Sequence, residues 1–311
     1  MSLPLLTRLV ANCYNISLKA GEIIKQVRKN GNLEIVEKGY NDFQTIADVK
    51  SQCMIIKSLQ KNYPGVCIVG EEDTENIDSA FFKEMELVES LSDEVVSKCK
   101  TLPEEYKNIK ENEIVIWVDP LDGTNEYTKG IVEHVTILIG IARFGKPIAG
   151  IICQPYFKSD ALEKLGRVVW GIVGIGSFGL FKNQTTHEGL IITTTRSHPN
   201  KPTQEAIEAI NPTTVLKLGG AGNKILNVIE GNADAYVYAS GGTKKWDTCS
   251  PEAVIIANGG VLTDICGNCY SYEANVEHPN NTGILATTST AIHDQIKKCI
   301  PENVINEMKT K

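Results

Sequence analysis

Trp117-Val118-Asp119-Pro120-Leu121-Asp122-Gly123-Thr124 is the stretch from which the fold and the chemistry of this chain can both be read. With Ile114-Val115-Ile116 before it, it begins as an apolar run of strand length, which predicts a buried strand over 114–118 and places Asp119 at its end. Pro120 has no N–H and a fixed φ. The ladder is therefore expected to end there and the chain to turn, pointing the Leu121 carbonyl and the Asp122 carboxylate back toward Asp119. Three oxygens in a small space suit a hard divalent cation, and Mg²⁺ takes a few carboxylates together with water and substrate phosphate. Gly123 permits close backbone approach, and Thr124 is placed for a helix start, where free N–H groups favour phosphate. Taken alone, the same residues also describe an ordinary turn after a strand.

The 311 residues, 42% hydrophobic and 22% charged, have the composition of a globular protein of one or two domains. A formal net charge of -7 gives no general attraction to nucleic acid or membrane, so an anionic small molecule would need local cations or bound metal. Met1-Ser2-Leu3-Pro4 opens no secretory signal, and glycines break the apolar run 168–181; a cytoplasmic protein is expected. Nine scattered cysteines predict reduced thiols. Cys266 and Cys269 have the spacing of half a zinc site, but Gly267-Asn268 between them is turn chemistry.

Outward from the central stretch, helical spacing predicts a helix from Leu5 to about Val27, ended by Asn30-Gly31. A second begins near Thr45, with Val49, Cys53, Ile56 and Leu59 inward and Asp48 in its first turn. Residues 66–69 read as a strand that delivers Gly70-Glu71-Glu72, and 74–112 as a charged surface excursion rather than core. Runs 135–142 and 147–153 flank Gly145-Lys146 as a hairpin. Near His187-Glu188-Gly189 the pattern changes to short strands alternating with helices. This predicts an N-terminal α+β metal-binding domain over 1–188 and a smaller C-terminal α/β nucleotide-binding domain over 189–311.

Asp247 precedes a helix expected to open with Ser250 as N-cap and Pro251 at its first position. Simple helix capping would equally account for that acid. Together, Glu71, Asp119, Asp122 and Asp247 carry too much charge for one pocket unless cations neutralise it, which two or three Mg²⁺ ions would do. Gly219-Gly220-Ala221-Gly222-Asn223-Lys224 enters a helix after a strand: glycines let N–H groups approach an anion and Lys224 adds charge, although a plain strand-to-helix turn has the same composition. Thr194-Thr195-Arg196-Ser197-His198 is a polar stretch after another strand.

The motifs Asp42-x-x-Thr45-x-Ala47-Asp48, Gly70-Glu71-Glu72, Asp119-Pro120-Leu121-Asp122-Gly123-Thr124 and Trp246-Asp247 resemble the lithium-sensitive, magnesium-dependent phosphatases of the inositol monophosphatase superfamily. Within it, 193–198, 219–224 and 244–249 look more like the bisphosphate nucleotidase branch. The resemblance implies a layered αβαβα sandwich, α/β (α+β) in class, and an enzyme that removes the 3′-phosphate of adenosine 3′,5′-bisphosphate to give AMP. It extends to 3′-phosphoadenylyl sulfate, with an inositol phosphate phosphatase as the alternative. It also implies that Glu71, Asp119, the Leu121 carbonyl, Asp122 and Asp247 hold Mg²⁺ and that Li⁺ inhibits. By the same resemblance Asp48 and Thr124 orient and deprotonate the attacking water. Thr195, His198, Gly220 and Lys224 hold the rest of the nucleotide, and Thr124 and Asp247 also face substrate. The chain departs from the superfamily at Cys249 and Ser250, where alanine is frequent, which would put a thiol near the metals.

Overall fold

In the computed structural model, which describes residues 3–39, 42–73, 85–160, 162, 165–181 and 188–310, Leu5–Asn30 form α1. Gly31 ends it by donating its N–H to the Arg28 carbonyl. A hairpin of β1 (Val36–Gly39) and β2 (Asp42–Gln44) leads to α2 (Ile46–Asn62). The inward face of α2 differs from expectation. Val49 and Ile56 are only half buried, while Ala47, Ser51, Met54, Ile55, Ser58 and Leu59 are enclosed, because the helix packs on both α1 and the sheet.

β3 (Cys67–Gly70) is followed by α3 (Asp93–Lys98) and β4 (Ile114–Asp122). Of the excursion 74–112, residues 74–84 lie outside the described ones. The remainder is not merely surface: Val95, Cys99, Leu102, Tyr106 and Ile109 join the main core, and Asn12 donates to the carbonyls of Val88 at 3.2 Å and Ser90 at 3.0 Å. Its charged residues had masked a sparse but buried apolar set.

Next come α4 (Thr124–Lys129), β5 (Thr136–Arg143), β6 (Lys146–Gln154), β7 (Arg167–Ile172) and β8 (Gly176–Phe178). Strands β3 to β8 form one sheet in chain order, antiparallel except for β3 against β4. Pro120 does not end β4. Pairing with β5 continues from Asp119 opposite Leu138 to Asp122 opposite Thr136, so β4 carries an extra residue as a bulge, where a proline costs no ladder bond.

The second half supplies β9 (Ile191–Thr195), α5 (Lys201–Ile210), β10 (Thr214–Leu218), α6 (Ala221–Ile229), β11 (Ala235–Tyr238) and β12 (Thr243–Lys244). Then follow α7 (Lys245–Ala257), β13 (Val261–Thr263), β14 (Pro279–Asn280), β15 (Ile284–Thr287), α8 (Thr290–Cys299) and α9 (Glu302–Lys309). A five-stranded sheet runs β10-β9-β11-β15-β13, with β9 parallel to both neighbours and β15 antiparallel to both of its own.

Five layers result. α1 and α2 cover one face of the first sheet, α6 and α7 lie between the sheets, and α5 and α8 cover the far face of the second. Both faces of β5 are therefore buried: Ile137, Ile139 and Ile141 join the α1 side and Leu138 the α6 side, which is why the strand reads as unbroken apolar sequence. α7 sits in a groove made by glycines on neighbouring strands, Gly140 opposite Gly150 and Gly150 opposite Gly171. A Cβ on Gly150 would lie 2.2 Å from the Ser250 carbonyl oxygen, and one on Gly140 2.6 Å from Cys249 Sγ. All nine cysteines are free. The 266–269 segment is the expected turn, with Asp264 Oδ1 accepting the Asn268 N–H at 2.7 Å. No helix among the described residues is long and apolar enough to cross a membrane.

Candidate active site

The acid that follows β3 and the one at the bulge of β4 are brought together by sheet pairing. Parallel pairing sets Gly70 beside Val118, and the Glu71 N–H continues it by donating to the Val118 carbonyl at 3.1 Å. Glu71 thus emerges next to Asp119. Glu72 turns away: its carboxylate accepts from Lys38 at 2.9 Å and its backbone N–H donates to Gln52 Oε1 at 2.9 Å. Asp119 Oδ1 accepts the Leu121 N–H at 2.9 Å, which tightens the bulge, and the Leu121 carbonyl accepts the Thr124 hydroxyl at 2.9 Å.

Asp247 arrives differently from expectation. α7 begins at Lys245, not Ser250, so Asp247 stands in its first turn and accepts the Lys244 N–H at 2.5 Å. Ser250 and Pro251 lie inside the helix, where the Ser250 hydroxyl donates to the Ile151 carbonyl at 2.8 Å. Pro251 cannot donate to the carbonyl four residues before it, that of Asp247. The helix tolerates the loss because it is enclosed between the two sheets.

Carboxylate oxygens of Asp119, Asp122 and Asp247 lie within 4.8 Å of one another. Burial, then the charges of Glu71, Asp122 and Asp247, hold the Asp119 carboxyl well above its ordinary range. Burial, then Asp247 and Glu72, push Glu71 up to about 8, with Lys38 and Lys244 opposing at 3.7 Å and 4.0 Å. Asp247 rises to about 6, through burial and then Asp122. Desolvated oxygens that repel one another this strongly, with few cations facing them, are the donor set a hard divalent ion would satisfy. Cys249, the thiol expected near this cluster, is fully buried against Gly140, and burial raises its pKa well above the ordinary thiol value.

Asp48 and Thr124 meet from opposite sides. Asp48 is fully buried; its Oδ2 accepts the Thr45 N–H at 2.8 Å and the Thr45 hydroxyl at 2.5 Å, and its Oδ1 accepts the Thr124 hydroxyl at 2.9 Å. Burial pushes the carboxyl up to about 7, against the pull of those hydrogen bonds.

The 219–224 loop does gather amides about an anion, but that anion is a side chain. Asp122 Oδ1 accepts the Ala221 N–H and Oδ2 the Gly222 N–H, both at 2.8 Å, and Thr136 donates to Oδ2 at 2.7 Å. Gly220 has φ 69°, and a Cβ there would lie 2.8 Å from both Asp122 Oδ2 and the His134 carbonyl oxygen. Lys224 is buried, with its ammonium 5.3 Å from the Tyr236 ring centre; burial lowers its pKa while Asp122 and Glu126 raise it. The Thr195 hydroxyl accepts the His198 N–H at 3.2 Å, with His198 at the exposed rim.

Glu71, Asp122, Thr124, Thr195, His198, Gly220, Lys224 and Asp247 all line one cavity of about 340 Å³. Asp48, Asp119 and Leu121 lie behind its wall, in contact with those lining residues. Sequence reasoning missed Lys38, Asn125, Glu126 and Tyr236. Lys38 belongs to no motif, and only their places beside Thr124 and in β11 hinted at the others.

The inositol monophosphatase family matches residues 6–303. Human 3′(2′),5′-bisphosphate nucleotidase 1 is 47% identical over 308 residues, covering 97% of each chain. Its Dictyostelium discoideum namesake is 41% identical over 294 residues, covering 90% of this chain and 93% of that one. Among solved structures, the extragenic suppressor protein suhB of Bartonella henselae superposes with a TM-score of 0.69 over 94% of this chain and 98% of its own, at 19% identity, a likeness of fold.

Proposed function

The chain belongs to the inositol monophosphatase family, and from that premise we propose that it is a Mg²⁺-dependent 3′(2′),5′-bisphosphate nucleotidase. Its substrate is adenosine 3′,5′-bisphosphate, hydrolysed at the 3′-ester to AMP and phosphate, and 3′-phosphoadenylyl sulfate is cleaved at the same ester. The observation that carries this reading is the meeting of Asp119, Asp122 and Asp247 oxygens within 4.8 Å, beside a Thr124 hydroxyl bonded to Asp48. The relatives named as bisphosphate nucleotidases support the choice of substrate.

Glu71, Asp119, the Leu121 carbonyl, Asp122 and Asp247 would hold two or three Mg²⁺ ions. Bound there, the ions would polarise the phosphoryl oxygens and offset the charge that grows on the leaving oxygen. Thr124 orients the attacking water by hydrogen bonding. Too weak an acid to serve as base alone, it passes the proton of that water to Asp48 Oδ1, 2.9 Å away. A carboxyl poised at about 7 can take that proton near neutral pH and release it again. Lys224, Thr195, His198 and Gly220 hold the remaining phosphate and sugar, Lys224 supplying the charge. In this reading 1–188 supplies most metal ligands and 189–311 the nucleotide side, with Asp247 reaching across. The enzyme works in the cytoplasm and is inhibited by Li⁺.

The test is phosphate release from adenosine 3′,5′-bisphosphate, inositol 1-phosphate and inositol 1,4-bisphosphate, with and without Mg²⁺ and Li⁺. We expect the nucleotide to be turned over fastest, only with Mg²⁺, and more slowly with Li⁺. Faster turnover of an inositol phosphate would replace this reading with an inositol phosphatase; turnover in chelator would remove the metal from it.

A further inference from the structure

We propose that Glu126, held by Ser197 and flanked by Asn125, is the residue that reads the substrate's sugar, accepting a hydrogen bond from the hydroxyl next to the reacting phosphate ester. This inference rests on the nucleotidase reading above.

Glu126 is 4% exposed and lines the cavity. One of its oxygens accepts the Ser197 hydroxyl at 2.8 Å. Among the described residues no Lys, Arg or His nitrogen lies within ion-pair distance of the carboxylate, although Lys224 and His198 feel its charge from farther off. The group is built in rather than incidental. A Cβ on Gly219 would lie 2.2 Å from Glu126 Cδ and 2.4 Å from Oε1, so the carboxylate fills the space that only a glycine leaves. A charge buried without a paired cation is costly unless a donor satisfies it.

Glu126 therefore presents the cavity with an acceptor, which is the wrong chemistry for a phosphate and the right one for a hydroxyl. Its position selects which hydroxyl. Glu126 and Thr124 line the same cavity, and Thr124 is bonded to Asp48 where the ester is cleaved. In a nucleoside 3′-phosphate the donor nearest the reacting phosphorus is the 2′-hydroxyl.

The experiment compares kcat/KM for adenosine 3′,5′-bisphosphate and its 2′-deoxy analogue in the unaltered enzyme with Mg²⁺, in Glu126→Ala and in Ser197→Ala. A hydrogen bond to a charged acceptor predicts a preference of roughly 10- to 100-fold for the ribonucleotide in the unaltered enzyme. The preference should fall below about 3-fold in Glu126→Ala and take an intermediate value in Ser197→Ala, where the carboxylate keeps its charge but loses its anchor. If Glu126→Ala does not fold, Ser197→Ala reads the same ratio. Turnover of both nucleotides at similar rates by the unaltered enzyme, or a ratio unchanged in the folded variants, overturns the assignment while leaving the nucleotidase reading intact. Turnover of inositol phosphates with neither nucleotide cleaved overturns both.

Discussion

Thr124 donates its hydroxyl to Asp48 Oδ1 across 2.9 Å, tying the first turn of α4 to the first turn of α2 over a separation of 76 residues. The same carboxylate caps α2 through Thr45, so the proposed proton acceptor is held rigid by the helix it starts. Positioning and capping are thus one arrangement, and a substitution tests both.

Asp48→Asn keeps the shape of the side chain and removes its basicity. We expect kcat to fall by about 100-fold or more, the usual scale of a lost general base, with KM little changed. Stability should hold, since burial already disfavours the charged form of Asp48. A folded Asn variant within tenfold of the normal rate would remove Asp48 from the role. Thr124→Ser should retain most activity and Thr124→Val should lose about as much as Asp48→Asn, since in the proposed mechanism only the hydroxyl would link the attacking water to Asp48.

In the proposed site Mg²⁺ would compete with protons for carboxylates whose pKa values are raised by burial and mutual repulsion. With Glu71 raised to about 8 and Asp247 to about 6, the rise in Tm caused by Mg²⁺ should shrink as pH falls from about 8 to about 6. Asp119→Asn should abolish most of that rise at any pH. Thermal unfolding with Mg²⁺ or chelator measures both, and a pH-independent shift would argue that the ion binds elsewhere.

Glu252 offers a stability test outside the site. Burial pushes its carboxyl up to about 8 although the Tyr272 hydroxyl donates to it. In the unfolded chain the value is near about 4.3. Stability from this group is fully present below the unfolded value and is lost as pH rises toward the folded one, by up to about 1.4 kcal/mol per unit. Glu252→Gln should flatten this part of the decline between about pH 5 and about pH 8. Urea unfolding across that range decides it, and an unchanged slope would assign the decline to other groups.

Gly150→Ala should damage both fold and function. Its methyl would meet the Ser250 carbonyl at 2.2 Å, and backbone in an enclosed helix cannot step aside as a flexible side chain can. A loss of about 3 kcal/mol or more is expected, together with weaker Mg²⁺ binding, because α7 carries Asp247. A variant of normal Tm would mean that α7 can shift in its groove.

Much of this was legible in the residues. Apolar spacing marked α1, the β5–β6 hairpin and the alternation of strands and helices after residue 189, because these patterns follow from burial of one or both faces of a single element. The motifs singled out the acids. Errors fell where a local rule met a non-local constraint. Pro120 was expected to stop a strand and instead occupies a bulge, because β5 continues to pair beyond it. Ser250-Pro251 was expected to start a helix and lies inside one, because the glycine groove and two sheets hold α7 from both sides.

By itself, then, the order of residues determined most of the segments that become helix or strand and singled out the acids carried near their ends and bends, since periodicity and backbone stereochemistry act within a few residues. Only the tertiary structure decided that Glu71 rather than Glu72 faces Asp119, that the amides of the glycine loop hold Asp122, and that Glu126 opens into the cavity. Those outcomes depend on register and packing between elements far apart in the chain, where contacts and exclusion of water set the energies.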